Sequence, residues 1–387
     1  MSHNQQPLPV SPSFTFAPEV PEAMQHFYKG EFMALPIVTP SGERGFASET
    51  LRLPSAVPDE AAVVDALRRM EFRIVTNSTS DKGNTTFEAA TFNNDPNTQA
   101  TVAFVSTYSS SISGNKGNAW ELATMAAMFP DVTFIYLASA GNGKTGALKP
   151  AEMRHLIATG LLTHTEKGNV EAVPTMQNAA GALLSLGREP SALAGNSAGC
   201  EQSRAIGIAL PEDTISRAVF NADPHMTATT PLQLAWRALI TEGMRTGATL
   251  RRQTHDPLAV TPAHVDTVTT ERQDIYGDSA GTAAEKLGTM AMLAANMFGL
   301  AHGGTVLKRE VEAFLQRQPN AVMTFYVPLR DRLHDRTKLY PHARQLAGTL
   351  PAGSKVIAVP EATHAYNTPN PLAFYTMIGR ALALQTS

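Results

Sequence analysis

The five residues Gly195, Asn196, Ser197, Ala198 and Gly199 lie between a short apolar run, SALAG, and a helical run, AGCEQSRAIGIAL. A sharp strand-to-helix turn of this kind projects a serine hydroxyl from the edge of a sheet and needs glycine where the chain crowds itself. The helix that starts at once offers unpaired N-H groups and a positive dipole end to any anion formed there. Ser197 is therefore a candidate nucleophile, and the Ala198 amide one half of an oxyanion hole. Asn196, beside the serine, is a candidate substrate contact.

A serine hydroxyl needs a base, and the base needs a partner that fixes its tautomer and stabilises the imidazolium. In this arrangement the partners follow in the order serine, acid, histidine, at the ends of later strands. KVIAVPEATHAYN supplies His364 just past the last strand-like run. His164, His255, His264 and His302 fall in helical segments, His342 begins a late helix, and His225 and His334 fall in loops with no such place in the order. Three acids compete for the third position: Asp331 after the strand FYVP, Asp335 four residues on, and Asp223 directly after RAVFNA.

The elements that must hold these groups alternate. Apolar strand-like runs at 101 to 106, 132 to 138, 191 to 195, 215 to 222, 322 to 328 and 355 to 360 are separated by helical segments beginning at Trp120, Thr175, Ala198 and Leu339, the pattern of parallel βαβ units. A helix over Pro58 to Met70, capped by Asp59, and two strands from Phe72 and Thr86 precede them as an antiparallel opening. Residues 1 to 54 are Pro- and Ser-rich and read as an extended arm, followed by a first core part over 55 to 224. The stretch 225 to 320 is too long for a crossover and reads as an inserted helical cap, with 321 to 387 completing the core. Met290 and Phe298 in the cap run TMAMLAANMFGLA are candidates to line an acyl pocket.

From about Ala100 onward, roughly three-quarters of the chain, the sequence resembles the α/β-hydrolase superfamily. LLSLGREPSALAGNSAG followed by LPEDTISRAVFNADP is similar to that family's passage through its nucleophile turn, and DRLHD and PEATHAYN resemble its acid and histidine loops. The resemblance implies a mostly parallel α/β sheet flanked by helices, with Ser197 as nucleophile, Asp331 as acid and His364 as base. It places the second oxyanion amide near Thr107 or Tyr108, with Tyr108 preferred. The family's usual His-Gly pair is replaced there by Ser106 and Thr107.

Two other motifs compete. GDSAG at Gly277 to Gly281 repeats the turn pattern around Ser279, but the preceding TTERQDIY is too charged for a buried strand, and Thr282 with Glu285 forms a capping box. ASAGNGKTG at Ala138 to Gly146 ends like a phosphate-cradling loop, but Ala138 replaces its leading glycine and Pro150 follows where a helix should be running.

Composition narrows the rest. The 387 residues are 43% hydrophobic and 17% charged with a net charge of -3, enough apolar material for a large globular core and no field for holding nucleic acid. The single cysteine, Cys200, allows no internal disulfide and reads as a packed thiol, in keeping with a cytoplasmic protein. No signal peptide or membrane span is read. The expected activity is cleavage of a small, apolar carboxylic ester by an acyl-enzyme route that uses no metal or organic cofactor. The rival expectation is a catalytically silent member of the fold serving as a binding module. Whether the chain is a monomer or a homo-oligomer is left open.

Overall fold

The computed structural model describes residues 57–79, 83–105, 111–164, 169–226, 258–277, 302–328, 345–359 and 371–384. It also describes three short strands before residue 57 and scattered positions that include Asp331 and His364. Among these, the strands are β1 (Met33–Ala34), β2 (Ile37–Val38), β3 (Arg44–Gly45), β4 (Glu71–Thr79), β5 (Gly83–Phe92), β6 (Ala100–Val105) and β7 (Val132–Leu137). They continue with β8 (Leu162–His164), β9 (Val170–Ala172), β10 (Ala192–Asn196), β11 (Arg217–Asn221), β12 (Val322–Pro328) and β13 (Lys355–Val359). The helices are α1 (Glu60–Arg69), α2 (Lys116–Met128), α3 (Pro150–Thr159), α4 (Pro174–Ser185), α5 (Ala198–Ala209), α6 (Pro262–Glu271), α7 (Gln273–Tyr276), α8 (Gly303–Arg317) and α9 (Pro371–Ala381).

The main sheet of the described residues has nine strands in the order β1-β13-β12-β11-β10-β6-β7-β5-β4. The six strands from β7 to β13 across its middle run parallel, while β4 and β5 form the expected antiparallel opening. Every residue of β7 and β10 is buried, as a strand covered by helices on both faces requires. Two apolar cores form, one on each face, the first around Leu193, Phe220 and Phe314 and the second around Trp120, Phe134 and Tyr326.

The direction of winding reverses beside β6. The chain passes from β6 to β7 on one side and returns to β10 on the other. In open α/β sheets such a reversal leaves a crevice at the carboxyl ends of the strands, where ligands bind. Ser197 stands at the carboxyl end of β10.

Local chemistry places the flanking helices. Asp59 caps α1, its side chain accepting from the Ala62 amide at 2.8 Å, as the sequence predicts. Pro150, Pro174 and Pro262 open α3, α4 and α6, where a missing N-H costs nothing. Pro150 thus starts a helix; it does not interrupt one.

The arm contributes more than an extended wrap, because β1 adds to the sheet edge antiparallel to β13. The hairpin β8-β9, too short to read from alternation, was not anticipated. Within the stretch read as a cap, α6 leans on the core through Trp120, which stacks on His264 at 4.0 Å, and through the Arg68 pair with Glu271 at 2.7 Å. The run LKREVEAFLQR is helical within α8, which sits against α5. Most of the helices expected near Leu232, Ala283 and Leu339 lie outside the described residues. No helix of the described residues is long and apolar enough to cross a membrane.

Candidate active site

The turn after β10 is as tight as its glycines predict. Ser197 sits at φ 53° and ψ −129°, a conformation that L-residues rarely adopt. Its amide donates to Asn221 O at 2.8 Å, tying the turn to β11, and the Cys200 amide returns to Ser197 O at 2.9 Å. A side chain at Gly195 would put its Cβ 2.6 Å from Cys200 Cα and 2.8 Å from Gly199 O, both backbone atoms that cannot swing away. Gly195→Ala is therefore expected to cost roughly 1–3 kcal/mol or more by overpacking. A lowered denaturant midpoint at unchanged slope would register it.

Ser197 Oγ and His364 Nε2 are 2.7 Å apart, and His364 Nδ1 and Asp331 Oδ2 are 2.7 Å apart. A carboxylate only accepts, so Nδ1 carries the ring proton and donates to Asp331, which leaves Nε2 to accept from the serine hydroxyl. Asp331 is fully buried, and its other oxygen accepts from the Leu333 amide at 2.8 Å. The histidine loop is pinned three residues on, where Asn367 Nδ2 donates to the buried Glu121 of α2 at 2.6 Å.

Ala198 is the first residue of α5, so its amide has no acceptor within the helix. Thr107, Tyr108, Ser279 and Asp335 lie outside the described residues. Asn196 is buried, its Oδ1 accepting from Asn221 Nδ2 at 2.8 Å. Met290 and Phe298 are 63% and 55% exposed.

Asp223, the rival acid, is engaged elsewhere. It pairs with Arg204, and Arg204 also donates to Glu310 Oε2 from Nε at 2.9 Å and from Nη2 at 2.7 Å. Burial opposes the guanidinium charge, but Asp223 and Glu310 outweigh it and push the Arg204 pKa up. Burial, followed by the charge of Glu310, pushes the Glu201 carboxyl well up. His225, expected in a solvated loop, is instead 1% exposed within this cluster. Cys200 is fully buried, as expected, and its thiol donates to Asn221 O at 3.2 Å.

The loop that resembled a phosphate cradle holds a carboxylate of the chain itself. Glu88, a fully buried acid in β5, accepts from the Lys144 amide at 3.3 Å and from the amide and hydroxyl of Ser113, the amide at 3.0 Å. Its own amide donates to Thr145 Oγ1 at 2.9 Å. The sequence signal was present, a lone acid inside the apolar strand TFEAATF, and its counterpart is the charged Glu201 and Arg204 among small residues in α5.

No family model matches the chain, and a search of curated proteins finds no match. Solved structures similar to it include a probable hydrolytic enzyme from Pseudomonas aeruginosa PAO1, at 13% identity over 82% of this chain and 94% of that one, TM-score 0.48. A thermophilic esterase from Thermogutta terrifontis matches at 14% identity over 81% and 98%, TM-score 0.43. A 2-hydroxy-6-oxo-6-phenylhexa-2,4-dienoate hydrolase from Rhodococcus sp. strain RHA1 matches at 13% identity over 81% and 100%, TM-score 0.46. With a mostly parallel sheet flanked by helices, wound out from β6 in both directions, and a serine turn at the carboxyl end of β10, the chain has the α/β-hydrolase fold.

Proposed function

We propose that the protein is a serine hydrolase that cleaves a carboxylic ester through an acyl-enzyme. The observation that carries this reading is the relay of two 2.7 Å contacts from Asp331 through His364 to Ser197. In the first step His364 Nε2 takes the hydroxyl proton as Ser197 Oγ bonds to the substrate carbonyl carbon, and the carbonyl electrons move onto its oxygen. The Ala198 amide, with the Tyr108 amide as its partner, holds that oxyanion. The carbonyl reforms as the C-O bond to the alcohol breaks, and His364 gives its proton to the leaving oxygen. Water then repeats the sequence on the acyl-serine and releases the acid. Asp331 keeps the ring in the productive tautomer and stabilises the imidazolium.

No step requires a metal or organic cofactor. The substrate class is a small-molecule ester, with Asn196, Met290 and Phe298 as candidate contacts and residues 225 to 320 as the elaboration controlling access.

Turnover of p-nitrophenyl esters at neutral pH tests the activity, and a chain without turnover on any acyl length would support the silent-module reading instead. Asp331→Asn is expected to lower kcat by on the order of 10^3 to 10^4, because Nδ1 loses the acceptor that fixes its proton. Asp335→Asn should leave kcat within a few-fold. Equal losses in both variants would remove Asp331 from its role.

A further inference from the structure

Behind the serine turn three buried carboxyl groups, Glu201, Asp223 and Glu310, gather around the guanidinium of Arg204 and the imidazole of His225. Glu201 lies in the first turn of α5, His225 in the 3-10 turn Pro224–Met226 and Glu310 within α8. These three buried residues bring one donor atom each to within 4.8 Å of one another. His225 Nε2 is 3.9 Å from Glu201 Oε2, and Nδ1 is 4.0 Å from Glu310 Oε2. Both spans are too long for hydrogen bonds. An imidazole gives an ion only one of its two nitrogens, so one of these spans, not both, is a donor pair about it. Donors bonded at about 2.0–2.2 Å stand roughly 3–4 Å apart, and one nitrogen with the two carboxylate oxygens lies within 4.8 Å here, a small adjustment away. Glu201 is 1% exposed, and its Oε1 has no hydrogen-bond partner.

The surroundings match the outer shell of a metal site, in which ligating carboxylates are themselves held by hydrogen bonds. Arg204 orients Glu310 through its 2.7 and 2.9 Å bonds to Oε2. Asp223 binds Arg204 on its other side and accepts from the His225 amide at 2.9 Å.

We propose that Glu201, His225 and Glu310 form a buried site for a first-row divalent cation, zinc being well suited to two carboxylates and an imidazole. The ion would clamp the helix that begins at the serine turn to α8 and to the turn after β11. It is a structural site and takes no part in the ester chemistry, so its fate is independent of the hydrolase reading.

The test uses the full chain, purified without chelator or histidine tag, equilibrated with zinc chloride and dialysed. The expected result is one zinc per chain by elemental analysis, a higher Tm with zinc than after chelation, and an X-ray absorption shell of nitrogen and oxygen at about 2.0 Å with imidazole scattering. Glu201→Gln and His225→Gln should lower zinc affinity by on the order of 100-fold or more. Wild-type chain that retains no zinc would overturn the proposal. So would zinc held equally well by folded E201Q and H225Q, which would place the ion on other histidines. Should neither variant fold, zinc retention and the absorption shell of the wild-type chain decide the matter alone.

Discussion

Ser197→Ala is expected to lower kcat/KM for ester hydrolysis by on the order of 10^4 or more, with the fold retained. The hydroxyl is the only group of the relay that bonds to substrate, and alanine leaves Asp331 and His364 facing an inert methyl group. Removing one member of such a unit costs nearly as much as removing all of it, because the members act in sequence on one proton and one bond. Residual rate would come from the oxyanion donors and from substrate binding. KM should change little if the hydroxyl contributes mainly to the transition state. Steady-state kinetics on a p-nitrophenyl ester, with circular dichroism to confirm folding, checks the result. A loss below about tenfold would mean that Ser197 does not form the acyl-enzyme.

Arg204→Leu is expected to be the most destabilising single change outside the serine turn, at roughly 3–5 kcal/mol. The side chain is fully buried, lies over the Phe220 ring at 5.2 Å, and is the cation that Asp223 and Glu310 share. Leucine fills part of the volume but leaves two carboxylates in a dry interior without their partner, and the cost of that exceeds the attraction lost. Urea unfolding should show the drop as a lower midpoint, and Arg204→Lys, which keeps the charge but not the planar fork, should fall between the two. A change below about 1 kcal/mol for the leucine variant would show that the cluster reorganises or admits water.

The strands were legible because they are buried on both faces: VTFIYL and VMTFYV are continuous apolar runs, the first ending one residue before its expected bound and the second spanning the expected 322 to 328. The serine turn was legible because close backbone contact leaves Gly195 no room for a side chain, and that constraint shows in the sequence as a letter. The choice among Asp331, Asp335 and Asp223 was not legible without a resemblance, because each follows a strand and spacing cannot say which way a carboxylate turns. In the fold, Asp331 meets His364 while Asp223 meets an arginine from the helix of the serine turn. The buried cluster was harder to foresee. Glu201 and Arg204 stand out among the small residues of α5, but their partners His225 and Glu310 come from two other segments and look in sequence like ordinary loop and helix polarity. The phosphate reading of the Ala138 to Gly146 loop was set aside on its sequence, but the loop's partner Glu88 was not foreseen: backbone amides that would suit a phosphate suit a carboxylate equally well, and the sequence does not show which anion is within reach.

The central claim is that Ser197 is the residue that becomes covalently attached. Treating the intact protein with a fluorophosphonate probe, digesting it and locating the adduct by mass spectrometry tests this most directly. The account predicts a single adduct on the peptide containing Ser197, formed at neutral pH and greatly slowed in His364→Ala. An adduct on Ser279, or rapid labelling that survives Ser197→Ala, would contradict it.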